Sequence, residues 1–250
     1  MVTPASDSDD RGGGPTTEVR RRPPQGESSP PTWGADLRAV RGEDLAVHPV
    51  EVAPRLLGAV LMVDDVAIRL TEVEAYCGPG DPGSHAYRRL TPRTRVMAGP
   101  VGSLYVYFSY GMHHAVNIVA HEAGEVGAVL LRAGEVVAGV TRAEGRRREI
   151  RRARGQSVAP LPHAHLARGP GNLAAALGLT RADSGARLDS LTPGTNHSSR
   201  LYHLLVPTTP VGSVRETGRT GVSGPGGDPE NYPWRFALRG EASVSAYRRA

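Results

Sequence analysis

Hydrophobic and polar positions alternate most regularly between Ala59 and Tyr76. Residues 59–63 and 66–76 read as two strands joined at Asp64 and Asp65 with the spacing of a hairpin. A period of two in the second strand places Ile68, Leu70, Glu72, Glu74 and Tyr76 on one face, which runs from apolar to acidic to aromatic. A carboxylate beside Leu and Tyr is costly to bury unless it is paired or used, so Glu72 and Glu74 either face solvent or do chemistry. Further strands are expected at 104–108, 115–120, 127–132, 201–206 and 234–238. Helical patterns are fewer. A short helix is expected between Leu45 and Gly58, limited by Pro54, and another over Gly171–Leu177, stopped by Gly178. Residues 143–163 and 207–233 read as long loops or insertions, and no internal repeat is present. Regular strand-helix alternation is absent, which predicts one α+β domain built on a curved, largely antiparallel β-sheet with flanking helices and long loops. Residues 1–42, rich in Pro, Gly, Ser, Asp and Arg without apolar periodicity, are expected to form a disordered tail ahead of a domain over 43–250.

Composition narrows the chemistry. The apolar fraction of 39% suffices for a packed core over 250 residues. No apolar run reaches the roughly 18 residues a spanning helix needs, and the N-terminus lacks signal-peptide order, so a soluble cytoplasmic protein without membrane partners is expected. Cys77 is the only cysteine, which excludes an intrachain disulfide and any cysteine-rich zinc site. The nine histidines include His113 with His114 and His163 with His165, neither at the i, i+4 spacing of a zincin; no metal and no cofactor are expected. All 30 basic residues are Arg. Without Lys there is no side-chain amine for imine chemistry and no P-loop lysine. The net charge of +5 suits a polyanionic partner, and Arg142, Arg146, Arg147, Arg148, Arg151, Arg152 and Arg154 form a dense run. Such a run is either a solvated face or a set of phosphate contacts.

The chain has eight Tyr, two Phe and two Trp, and half of these rings fall between Tyr76 and Tyr110: Tyr76, Tyr87, Tyr105, Tyr107, Phe108 and Tyr110. They make either a tyrosine-rich β core or a stacking surface. Their company favours the second reading. Glu72-Val73-Glu74-Ala75-Tyr76 with Gly78-Pro79, His85, Thr91-Pro92-Arg93, Leu104-Tyr105-Val106-Tyr107, Tyr110-Gly111-Met112, Asn117-Ile118, Val129 to Ala133 and Gly169-Pro170-Gly171 with Leu173 together resemble the 3-methyladenine (alkyladenine) DNA glycosylase family, over roughly residues 43 to 242. Arg95, Ala98 and Pro54 depart from the family's pattern.

The resemblance implies a monofunctional enzyme that flips damaged purines, alkylated or deaminated, out of double-stranded DNA and hydrolyses the N-glycosidic bond. It assigns Glu74 as the general base that activates water, supported by Arg132. Tyr76 and Tyr107 would sandwich the extruded base with His85 at its edge, and Asn117 would screen purines by their 2-amino group. Tyr110, before Gly111, would be the wedge that fills the gap in the duplex. Absence of Lys implies no lyase activity. A monomer is expected, since one flipped base needs no two-fold symmetry. Two rival readings are a non-catalytic damaged-DNA binding module and a hydrolase of free nucleosides. A carboxylate aimed at anionic DNA argues against the first, and Tyr110 with the Arg clusters against the second.

Overall fold

The computed structural model describes residues 36–109, 111–191 and 199–249. Most of the expected tail and Tyr110 lie outside the described residues. The strands are β1 (Leu37–Ala39), β2 (Val60–Val63), β3 (Val66–Cys77), β4 (Leu104–Ser109), β5 (His113–Val119), β6 (Gly127–Ala138), β7 (Ala167–Arg168), β8 (Tyr202–Pro207), β9 (Val214–Thr217) and β10 (Arg235–Leu238). The α-helices are α1 (Gly42–Leu45), α2 (Pro49–Arg55), α3 (Val140–Ala153) and α4 (Pro170–Leu177). The strands form one antiparallel sheet in the order β1-β8-β2-β3-β6-β5-β4, with β10 pairing both β3 and β9, and β7 pairing β6. The protein is thus a single α+β domain. Strand β1 lies inside the segment expected as tail; it exists through its pairing with β8, a contact that local sequence does not announce.

Strand β3 is the spine. It pairs β6 from Ala67 to Cys77, while its other edge is taken by β2 from Val66 to Arg69 and by β10 from Glu72 to Glu74. Between these halves the register against β6 shifts twice, between Leu70 and Glu72 and between Glu72 and Val73. Such an irregularity reverses which residues face which side. Val66, Ile68 and Leu70 lie in the main core; beyond the shift the core residues are Val73 and Ala75. The expected single face from Ile68 to Tyr76 is therefore wrong. Ile68 and Leu70 face the core, whereas Glu72, Glu74 and Tyr76 share the opposite face.

Helix α4 lays Leu173, Ala174, Ala176 and Leu177 into that core and ends at Gly178, whose φ of 66° suits glycine. Two stretches read as loops carry structure. Residues 143–163 open with most of α3, which hides from apolar pattern analysis because its inward stripe continues from Ala143 to Arg147, and arginine stems cover apolar surface as an aliphatic residue does. Residues 207–233 hold β9 and a short turn of helix at Pro225–Gly227, set by pairing with β10. Among the described residues no helix is long and apolar enough to cross a membrane, and no three His, Cys, Asp or Glu groups converge as metal ligands.

Candidate active site

The shift in β3 turns two carboxylates out of the core without turning them into water: Glu72 and Glu74 are both fully buried. Burial on these terms requires donors. Glu72 Oε1 accepts from Arg132 Nε at 2.8 Å, Arg235 Nε at 2.8 Å and Ser245 Oγ at 2.8 Å, and its Oε2 accepts from the Ser245 amide at 2.7 Å. Burial by itself pushes the Glu72 carboxyl up, but the Arg132 and Arg235 guanidiniums and the Ser245 donors outweigh it and hold it below the ordinary carboxylate value.

Glu74 is held differently. Its Oε2 accepts from the Tyr76 hydroxyl at 2.8 Å and from Arg132 Nη1 at 3.3 Å, and its Oε1 accepts from the Thr220 amide at 2.7 Å. A carboxylate offers about four lone-pair directions, so three donors leave room for one more. Arg132 bridges the two acids. Glu72 fixes its Nε, and Nη1 is thereby presented to Glu74.

A cleft of about 750 Å³ opens above this network, bordered by Tyr76, His85, Tyr107, Asn117 and Arg132. Glu74 lies just beneath the border, under three groups that line it: Tyr76, Arg132 and Thr220. The sequence-predicted pocket residues therefore converge, although they come from β3, the loop after it, β4, β5 and β6. His85 meets Tyr107 edge-on, with ring centroids 4.6 Å apart, and its Nδ1 lies 3.1 Å from the Tyr105 hydroxyl. Burial and the nearby Arg93 guanidinium hold the His85 imidazole below its ordinary value, so it is neutral at pH 7. Asn117 donates from Nδ2 to the Tyr105 carbonyl at 2.9 Å, which fixes its amide beside the cleft. The Tyr76 hydroxyl, buried against Glu74, is pushed well above its ordinary value by burial and by that carboxylate, and stays protonated as a donor.

Several parts of the site escaped sequence reasoning. The Arg219 guanidinium stands 4.6 Å from the centre of the Tyr76 ring and 5.2 Å from that of Trp234. It is clamped by Asp81 through both oxygens, at 2.7 and 2.6 Å, and by the Gly226 carbonyl at 2.7 Å. Gly83 is required here, since a Cβ at that position would come within 2.4 Å of Arg219 Nη2. Asp81, Thr220 and Arg219 lie in Gly-rich loops with no periodicity, and only the fold brings them under β3. Cys77 is no nucleophile: burial and Asp81 push its thiol up to about 12.

The methylpurine-DNA glycosylase family profile matches residues 43–242. A protein of Leifsonia xyli subsp. xyli is 50% identical over 206 residues, spanning 80% of this chain and 88% of its own length. Another, of Frankia casuarinae, is 45% identical over 222 residues, spanning 87% of this chain and 96% of its own length. A third, of Cutibacterium acnes, is 42% identical over 205 residues, spanning 82% and 98%. All three carry the name "Putative 3-methyladenine DNA glycosylase". With a matched span that holds Glu74, Tyr76, His85, Tyr107, Asn117 and Arg132, the chain belongs to the methylpurine-DNA glycosylase family.

Proposed function

We propose that this protein is a monofunctional DNA glycosylase that flips damaged purines out of duplex DNA and releases them by hydrolysis. The observation that carries the reading is the buried Glu74 carboxylate, held by Tyr76, Arg132 and Thr220 directly beneath an aromatic-walled cleft. Its remaining acceptor direction suits a water that attacks C1′ of the sugar as the base departs, with Glu74 taking the proton. Its negative charge, fixed in place, also stabilises the oxocarbenium-like sugar of the transition state. Arg132 orients Glu74 and is itself oriented by Glu72.

Tyr76 and Tyr107 supply the stacking faces and His85 the edge. Arg219 occupies the rear of Tyr76, which leaves its other face for the base. A neutral His85 is a weak acid, so leaving groups that already carry positive charge, such as 3-alkyladenine and 7-alkylguanine, depart without its help. Cationic alkylated purines are therefore the preferred substrates, ahead of neutral hypoxanthine and ethenoadenine. Tyr110 is the wedge; its neighbours Phe108 and Met112 are 44% and 55% exposed, an apolar tip suited to entering a base stack.

The test is base release from duplex oligonucleotides carrying 7-methylguanine or hypoxanthine. Free base and an abasic strand that breaks only after alkali, with faster release of the methylated purine, is the expected result. Since the chain has no Lys, borohydride should trap no protein-DNA adduct. Tight duplex binding with no release from any lesion would instead favour a damaged-DNA binding module.

A further inference from the structure

Helix α3 carries Ala143, Arg147 and Arg151 on one stripe at a spacing of four, and its C-cap residue Arg154 follows three residues on. The stripe leaves the core after Ala143, and two of its arginines border a second cavity of about 280 Å³. Arg147 and Arg154 line that cavity together with Met112, His113 and His114. The two histidines also line the cleft above Glu74, so the cavity adjoins the candidate active site.

The other arginines that face this cavity or extend the stripe have protein partners. Arg146 donates to the Ala176 carbonyl at 2.9 Å, Arg151 to the Ala159 carbonyl at 2.8 Å, and Arg154 to the Met112 carbonyl. Arg147 does not. It is 8% exposed, its Nε has no hydrogen-bond partner, and among the described residues no carboxylate pairs with it. Burial, then Arg151 and Arg154, press its guanidinium below its ordinary value, and Glu149, the acid that borders the cavity, does not offset them. His113 is held below its ordinary value by burial, Arg154 and Arg147, and His114 by burial and Arg181; an imidazole in either protonation state offers no negative charge to balance the guanidinium. A buried cation without an anion is costly and rare unless a ligand completes it.

We propose that Arg147, backed by Arg154, forms a binding site for a DNA backbone phosphate next to the β4–β5 turn. Arg154 ties the site to that turn through the Met112 carbonyl, so a phosphate held here sets the register of the duplex against the turn. The proposal rests on the glycosylase reading for the identity of its ligand, but not on any step of the chemistry.

The test uses the full chain and an undamaged duplex, so that no excision is involved. Arg147→Met keeps the aliphatic stem and removes the charge. Its melting temperature should match or exceed that of the wild type, because an unpaired buried charge is lost. The slope of log K against log salt should shrink by about 0.9, which at 0.1 M salt is a loss of roughly eightfold in affinity. Arg148→Gln removes the same charge from the exposed side of α3 and should leave the slope unchanged. An unchanged slope in a folded Arg147→Met protein overturns the proposal. So does a site that serves free anion only: inorganic phosphate at constant ionic strength would then raise the melting temperature of the wild type but not of Arg147→Met, with DNA slopes equal. Absence of base release from damaged DNA, with the slope change present, would sink the glycosylase reading and leave this site standing.

Discussion

Replacing Arg219 by Met should destabilise the protein far more than a typical charge deletion, because the brace behind Tyr76 is an ion pair closed to water. The Arg219 and Asp81 side chains are both 0% exposed, and the guanidinium makes four hydrogen bonds: two to Asp81, one to the Gly226 carbonyl and one to the Ala75 carbonyl. Met fills most of the volume but leaves Asp81 buried without its cation. Removing one partner of a buried pair costs roughly 3–5 kcal/mol. Asp81 keeps the amides of Cys77 and Gly83 as donors, which places the expected cost at the low end, about 3 kcal/mol. For a domain of this size each kcal/mol moves Tm by about 2–4 °C, so the loss should be about 6–12 °C. Thermal and urea unfolding read the change directly. A second cycle with Asp81→Leu and the double variant should show strong coupling, the double costing less than the sum of the singles. A Tm loss under 2 °C for Arg219→Met, with singles that simply add, would refute the idea that this pair is a desolvated unit holding the Tyr76 wall.

Glu72 contributes to the acid limb of stability: its carboxyl is held below the ordinary value near 4.5, so its contribution is complete above that pH and is lost as pH falls through the lower folded value. Glu72→Gln should lower stability at pH 7 and flatten its pH dependence below 4.5; an unaltered acid limb would count against the Arg132-Glu72-Arg235 network. His85 is neutral at pH 7, so excision of a cationic purine should stay level from pH 8 down to about 6.5 and fall only at lower pH, where an imidazolium would repel the base. A rise in rate on acidification through this range would assign His85 as an acid instead. Tyr76→Phe removes the hydroxyl from Glu74 while keeping the ring, and should lower the excision rate with little change in duplex affinity. An equal loss in both would make the hydroxyl a binding group.

The pocket was legible in the sequence because its residues share a strand or carry a recognisable order. The i, i+2 relation of Glu72, Glu74 and Tyr76 survives in β3, and helix α4 with its Gly178 stop follows from local rules. The face assigned to Ile68 and Leu70 was not legible, since period two is blind to the register shift that separates them from Glu72. Nor was α3, whose buried stripe uses arginine stems where pattern analysis looks for apolar residues. Arg219 and Asp81 lie 138 residues apart in Gly-rich loops, and no local signal connects them. Sequence pattern reads residues that neighbour along an element; it does not read a brace made by two loops.

In the proposed reaction Glu74 activates the water, while Glu72 takes no proton and acts on it through Arg132. Single-turnover base release from a duplex containing 7-methylguanine, at saturating enzyme, compares wild type with Glu74→Gln. A loss of about 10²–10⁴-fold in rate, with duplex affinity retained, is the predicted result. Release by Glu74→Gln at near wild-type rate would contradict the account.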